Sequence, residues 1–131
     1  MRNKKGFTLV ELLAVIVILA IILVIAVPQV LRVIDQSRRD SLRSSVRMYA
    51  SAIETDYLVS MASDNPPTGT VPSGTTCPNV VKFENGTCTY ALSVVDNIPT
   101  ATVTLVGSGN FSGLTATGTK TGTVTVTDTE T

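Results

Sequence analysis

Few residues in this sequence could carry chemistry. Glu11 is a single carboxylate near the start of an apolar run, and Cys77 and Cys88 are the only two cysteines. The chain has no histidine, so it lacks the commonest general base and metal ligand near neutral pH. Two cysteines cannot complete a four-ligand zinc site by themselves, and their spacing excludes a C-x-x-C redox motif. We therefore predict a protein that is not an enzyme and has no metal or cofactor site.

Glu11 is unusual because it lies in a segment of membrane length. The sixteen residues from Leu12 to Val27 carry no polar side chain, which corresponds to about 24 Å of helix. Counted from Phe7, the segment reaches roughly 31 Å, close to the thickness of the hydrocarbon core of a bilayer. An ionised carboxylate in that environment is costly unless it is paired or neutralised. The sequence therefore predicts a membrane-spanning helix in which something compensates Glu11.

Charge is distributed unevenly along the chain, although the formal net charge is zero. Residues 1–47 contain eight Lys/Arg and three Asp/Glu, whereas residues 48–131 contain two Lys/Arg and seven Asp/Glu. A basic half can indicate nucleic acid or anionic lipid, but this one contains the apolar run and no interleaved aromatic residues. We expect contact with a membrane or with another copy of the chain, and nucleic-acid binding is not indicated.

Two conventional interpretations of the apolar segment each meet an objection. A secretory signal peptide cut after Ala26 would hold Glu11 inside its apolar region and have Pro28 close behind the cut. A simple signal anchor would be oriented by its flanking cations, but five arginines follow the segment and only three Lys/Arg precede it. The positive-inside count therefore opposes an exported C-terminus.

The stretch KKGFTLVELL, followed by an apolar helix and Pro28, resembles the leader and mature N-terminus of type IV prepilins and related pseudopilins. The resemblance covers residues 4 to about 35 and concerns architecture alone beyond them. It implies that a prepilin peptidase cleaves between Gly6 and Phe7 and that the new N-terminus at Phe7 is methylated. Glu11 then becomes the fifth residue of the mature chain, where the family assigns it to filament assembly.

The implied cleavage also explains how Glu11 is compensated. The amine of Phe7 becomes a cation at a helix N-terminus, and Glu11 lies one turn away on the same face. The two groups could pair within one chain, or Glu11 of an incoming subunit could meet the Phe7 amine of an assembled one. Because both charges leave solvent only if they meet, the second arrangement would set the register of packed apolar helices. A membrane helix with one interfacial glutamate is the simpler alternative.

Pro28 is expected to kink the helix or to remove hydrogen bonds at the outer edge of the membrane. After it the pattern becomes one-sided, which is typical of an amphipathic helix that continues to about Ala62. The apolar stripe recurs at spacings of three or four, with charged and small polar residues displaced from it. Its members are Leu42, Val46, Tyr49, Ile53, Tyr57 and Met61, and the displaced residues are Arg43, Arg47, Ser51 and Glu54.

Three arginines, Arg39, Arg43 and Arg47, stand one turn apart on one face of this helix. Asp35 is expected to pair with Arg39, and Asp40 with Arg43. Arg47 has no obvious local partner, so it is either solvated or in contact with the acidic head of a neighbouring subunit.

Residues 64–78, DNPPTGTVPSGTTCP, contain adjacent prolines followed by Gly, Thr and Ser, and predict a connecting loop. Apolar residues then alternate with polar ones, which predicts a four-stranded antiparallel meander with threonines on its wet face. A hairpin turn is expected at Asn85-Gly86. The predicted strands lie near residues 80–83, 90–94, 100–106 and 121–127, with Ala101, Val103, Leu105, Val124 and Val126 facing inward.

Cys77 and Cys88 are predicted to form a disulfide if the head is exported, and closing so short a loop would contribute about 3 kcal/mol. The expected hairpin turn would place Cys88 opposite Phe83 and not opposite Cys77. Either the chain around Pro78 folds back over the hairpin, or the turn differs, or the thiols stay free.

The predicted fold is α+β and pilin-like. A long N-terminal α-helix, membrane-spanning in its first half and amphipathic in its second, packs on a small antiparallel β-sheet. The expected boundaries are a cleaved leader at 1–6, a transmembrane and assembly helix at 7–28, an amphipathic helix at 29–62, a connecting loop at 63–78 and a β head at 79–131.

The resemblance implies a structural subunit of a type IV pilus or pilus-like surface filament. Such a subunit is a single-pass membrane protein before assembly and then part of an extracellular bacterial filament. Its partners are other copies of itself, the prepilin peptidase, the pilus assembly machinery and the membrane. Two alternatives stay open: a pseudopilin of a type II secretion or DNA-uptake machine, and a membrane-anchored binding module that does not polymerise.

Overall fold

A computed structural model describes residues 5–63, 73–78 and 81–129. Predictions that fall on residues 1–4, 64–72, 79–80 and 130–131 lie outside the described residues and stay predictions. The chain divides into two compact units, Met1–Ser37 and Arg38–Thr131. One helix, α1 (Leu9–Met61), contributes residues to both units, and the sheet belongs to the second.

The described part of the N-terminal unit consists of residues 5–8, which lie outside the helix, and the first half of α1. Every large apolar side chain from Phe7 to Ile34 is exposed, and between Leu12 and Val27 the helix is apolar on all sides. Among the described residues, α1 is long and apolar enough to cross a membrane. Pro28 lies within the helix.

In the C-terminal unit, α1 buries one stripe of side chains against the sheet. Leu42, Val46, Ala50 and Ile53 are buried, and they share a core with residues from the strands. Tyr49 and Tyr57 pack partly against that core, which confirms most of the predicted stripe. Two members of the pattern differ: Met61 is exposed at the last turn, and Glu54 turns towards the sheet, where it accepts a hydrogen bond from the Ala101 backbone.

Over the described residues the sheet contains five antiparallel strands, whose spatial order follows chain order. They are β1 (Ser73–Thr76), β2 (Gly86–Val95), β3 (Ile98–Gly107), β4 (Leu114–Thr119) and β5 (Thr125–Asp128). A short 3-10 helix, Gly109–Phe111, connects β3 to β4. A long helix packed on an antiparallel sheet is the predicted α+β arrangement, so that prediction is confirmed.

Alternation within the strands places apolar residues in the core and threonines on the other face. Ala101, Val103 and Leu105 in β3 are completely buried, as predicted. Val124, just before β5, is buried, and Val126 is partly buried. On the face away from the core, one row of paired threonines crosses β2 to β5 and contains Thr89, Thr104, Thr117 and Thr125. The period-two pattern therefore predicted the correct face of the sheet.

The strand count is one higher than the predicted four. β1 lies in the segment expected to be a loop, because Thr75 and Thr76 pair with the backbone of β2 despite their turn-prone neighbours. β4 was not predicted because two of its three inward positions, Ala116 and Gly118, are small, and Gly118 lies where a Cβ would press on Val124. Residues 81–83 form no strand, although Val81 is buried.

The hairpin predicted at Asn85-Gly86 is wrong. The two-residue turn lies at Asp96 and Asn97, whose φ angles of 51° and 62° are typical of a type I′ turn between β2 and β3. Gly86 instead begins β2, where its backbone approaches β3 so closely that a Cβ would collide with the Val106 carbonyl oxygen. The glycine therefore serves a close approach between strands and not a turn.

Candidate functional site

The candidate site is the start of α1, where the only carboxylate of the apolar segment lies. The helix begins at Leu9, one residue after Thr8. The Thr8 backbone N–H donates to Glu11 Oε2 at 2.9 Å, and the Glu11 backbone N–H donates to Thr8 Oγ1 at 3.3 Å. This reciprocal pair is a capping box, which satisfies backbone N–H groups that have no partner inside the helix. The carboxylate also lies near the positive end of the helix dipole.

Sequence reasoning expected the Phe7 amine as the partner of Glu11 and missed Thr8. The signal was available, because Thr-x-x-Glu directly before an apolar run is the sequence form of a capping box. In the full chain the Phe7 nitrogen is part of a peptide bond, so the observed partner of Glu11 is Thr8. Pairing between Glu11 and a free Phe7 amine stays a prediction.

Phe7, Glu11, Leu12 and Val15 line one apolar groove at the helix start. Phe7 and Leu12 occupy the two positions of a hydrophobic staple, one residue before the cap and four residues after it. Glu11 is therefore the polar member of an otherwise apolar surface. The Thr8 N–H uses Oε2, so the Oε1 atom of Glu11 is left for another donor.

Gly6 is exposed, and a Cβ built on it would meet no atom within 4 Å. The fold of the described residues therefore gives no packing reason for a glycine there. Residues 5–8 lie outside the helix and are exposed, so the Gly6–Phe7 peptide bond is not held in helical hydrogen bonding.

Cys77 and Cys88 form a disulfide with their Cα atoms 5.4 Å apart. Thr76 of β1 pairs with Thr89 of β2, so the next pair along the ladder brings the two cysteines opposite each other. The Cys77 N–H donates to the Cys88 carbonyl oxygen at 3.0 Å, which extends that ladder. Of the three alternatives left by the sequence, the correct one is that the turn differs.

Of the three arginines that stand one turn apart on α1, two make ion pairs. Arg43 lies 2.7 Å from Asp40, as predicted, and Arg39 lies 2.6 Å from Asp128 at the end of β5. Pairing of Arg39 with Asp35 stays a prediction. Within residues 5–63, 73–78 and 81–129, Arg47 makes no ion pair, and its side chain is exposed. Ion pairs at the surface contribute at most about 1 kcal/mol each, so the contact between Arg39 and Asp128 adds little to the stability of the head.

Over the same described ranges, no three His, Cys, Asp or Glu residues lie close enough to hold a metal ion.

Residues 1–27 match the family model of the prokaryotic N-terminal methylation motif, the leader of type IV pilin-like proteins. The matched region contains Gly6, Phe7, Thr8 and Glu11 and most of the apolar segment. No match was found among curated proteins or among solved structures.

Proposed function

We propose that this chain is a structural subunit of a type IV pilus or pilus-like surface filament, made as a prepilin and assembled through α1. The single observation that carries the proposal is the coincidence of the methylation motif at residues 1–27 with an exposed, membrane-length helix. A head with a core of its own and a disulfide follows the same helix. In this proposal the motif serves processing, the apolar helix serves anchoring and assembly, and the head is the part displayed on the filament.

Processing is proposed at the Gly6–Phe7 bond by a prepilin peptidase, followed by methylation of the Phe7 amine. The bond lies in an exposed, non-helical stretch, which a protease can accommodate in an extended conformation. Thr8 and Glu11 both follow the cut, so the mature chain keeps the two partners of the capping box. The peptidase would therefore create a helix whose first turn is already capped.

Assembly is proposed to proceed from the membrane, where α1 is held as a single span. Large apolar side chains surround the first half of the helix, so bundling with copies of itself would replace lipid contacts by protein contacts. Glu11 of one subunit would then meet the methylated amine of Phe7 from another. Because a buried carboxylate without a partner is costly, this contact selects one register among many apolar alternatives.

The head is proposed to lie outside the cell, in the surface filament. Its disulfide is typical of exported proteins, since thiols are kept reduced in the cytosol. A pseudopilin of a secretion or DNA-uptake machine is the second candidate, because the same methylation motif supports it.

The test is microscopy of filaments sheared from cells that express this chain, combined with mass spectrometry of the filament protein. We expect filaments whose subunit begins with methylated Phe7 and contains the Cys77–Cys88 disulfide. An uncut Met1, or a first residue at Val27, would exclude prepilin processing. A mature Phe7 found only in membranes, together with loss of secretion or DNA uptake on deletion, would favour the pseudopilin.

A further inference from the structure

The C-terminal unit has an apolar groove on α1, beside the stripe of side chains that is buried against the sheet. The groove is lined by Met48, Ser51, Ala52, Thr55, Asp56 and Val59. Met48 and Val59 are 61% and 64% exposed, which is high for apolar residues in the middle of a helix face. The spacing of 48, 52, 55 and 59 keeps these side chains on one helical stripe.

Arg47 lies at the edge of this groove, next to Met48 and one helical turn before Ser51. It is exposed, and within the described ranges it makes no ion pair or side-chain hydrogen bond. Asp56 also lines the groove, but it is nine residues from Arg47 and therefore on the opposite side of the helix from it. The groove thus combines an apolar floor with an unpaired cation at one edge and a carboxylate at the other.

The tip of the β2–β3 hairpin has the complementary chemistry. Val95 and Ile98 pair across the turn, and each is 66% exposed. Asp96 and Asn97 form the turn with positive φ angles, so the tip is a tight, defined projection. Asp96 is exposed and, over the part of the chain that the structure describes, it has no cationic partner.

We propose that the hairpin tip of one copy docks in the helix groove of the next copy. In this contact Val95 and Ile98 cover the apolar floor, and Asp96 pairs with Arg47. The inference rests on the proposed function, because it assigns a head contact to the filament.

The complementary patches lie on different elements of the same unit, so each copy offers one tip and one groove. A contact between two different surfaces is heterologous, and when its rotation does not close a ring it adds copies without limit. The tip is small, so a single contact is weak, but it repeats at every subunit along a filament that the apolar helices already hold. The charge pair then selects the position of the tip, because an arginine–carboxylate bond is directional and like charges repel.

A charge exchange tests the pairing in the full chain, expressed as the cell's only copy. Membrane-held subunit and sheared filament are measured in parallel. Arg47→Asp places two carboxylates together and should lower filament yield by about tenfold, which corresponds to about 1.4 kcal/mol. Asp96→Lys should do the same, and the double variant should recover most of the yield. Asp96→Asn is a milder variant, because asparagine tolerates the positive φ of this turn position and only the charge is lost.

Matched controls use exposed charges elsewhere on the head. Lys82→Asp and Glu84→Gln change charge by the same amounts as Arg47→Asp and Asp96→Asn, and both should assemble normally. Non-reducing electrophoresis of the Cys77–Cys88 disulfide reports whether each head is folded.

Three results would overturn the inference. Normal filaments from Arg47→Asp and Asp96→Asn would reject the contact and leave the filament function intact. Loss of yield in both single variants without recovery in a folded double variant would reject the pairing of these two residues. Absence of filaments from the unaltered chain would reject the proposed function, and the contact with it.

Discussion

The carboxylate of Glu54 accepts a hydrogen bond from the backbone N–H of Ala101, with 3.1 Å between Glu54 Oε1 and the nitrogen. The pairing of β3 with β4 begins at Thr102 and Thr119, so Ala101 lies one residue beyond that ladder. Glu54 therefore supplies an acceptor where the neighbouring strand no longer provides one. Lys120 Nζ lies 3.9 Å from the other carboxylate oxygen. A polar bond thus joins α1 to the central strand beside the apolar packing.

We expect Glu54→Ala to destabilise the head by about 1–3 kcal/mol, because the N–H of the buried Ala101 loses its acceptor. Glu54→Gln keeps an acceptor oxygen and should cost less. Urea denaturation of the detergent-solubilised chain measures both changes, with Glu84→Ala as the exposed control. Equal stability of Glu54→Ala and the control would show that water replaces the carboxylate.

Ionisation of Tyr49 should lower the stability of the head at alkaline pH. Its hydroxyl donates to the Lys82 carbonyl oxygen at 3.1 Å. Burial, and secondarily the negative charge of Glu84, raise the pKa of Tyr49 above its ordinary value of 10.0. Because the folded state favours the neutral phenol, this stabilisation is complete below about pH 10 and is lost as the pH rises through the folded pKa.

The free energy of unfolding should therefore fall more steeply above about pH 10 in the unaltered chain than in Tyr49→Phe. Urea denaturation at each pH measures the slope, and absorbance of the phenolate reports ionisation directly. Parallel slopes in the two proteins would contradict the assignment of the pH dependence to Tyr49.

The disulfide should contribute about 3 kcal/mol, because it closes a short loop between the end of β1 and β2. Replacement of both Cys77 and Cys88 by alanine should lower the free energy of unfolding by that amount, and β1 should lose protection from hydrogen exchange first. The unreduced, folded protein should resist alkylation at both positions. Rapid alkylation of both thiols without reductant would show that the bond does not form.

The Thr8 hydroxyl should protect the first turn of α1. Thr8→Ala removes the acceptor of the Glu11 N–H and should cost about 1 kcal/mol locally, so that this amide exchanges about fivefold faster. Thr8→Ser keeps the oxygen and serves as the matched control. Amide exchange in detergent micelles measures the difference, and equal protection in the two variants would show that the capping box does not hold the helix start.

Substitution of Glu11 should separate membrane insertion from assembly. Glu11→Leu removes a polar group from the apolar segment, so membrane-held subunit should stay constant or rise. Filament yield should fall in Glu11→Leu and also in Glu11→Gln. Glutamine still fits a capping box but cannot neutralise the Phe7 amine, so this variant isolates the charge. Normal filaments from both variants would leave Glu11 as a helix cap alone.

The sequence by itself determined the features that depend on neighbours along the chain. The leader motif, the membrane-length apolar run, the stripe of Leu42, Val46 and Ile53, and the inward face of Ala101, Val103 and Leu105 all follow from local spacing. A helix repeats every 3.6 residues and a strand every two, so each element carries its own period. The capping box of Thr8 and Glu11 was equally local and could have been predicted.

Only the tertiary structure decided which segments pair. Gly86 looked like a turn because Asn-Gly favours one, yet its missing Cβ is needed for close approach to Val106 in another strand. The disulfide forms because β1 runs beside β2. The hydrogen bond of Glu54 forms because the Ala101 N–H lies beyond the end of β4 and has no strand partner there. These contacts join residues that are distant in the sequence. Each one forms only if particular strands lie side by side. No local period records that information, because it arises only when the whole sheet closes over α1.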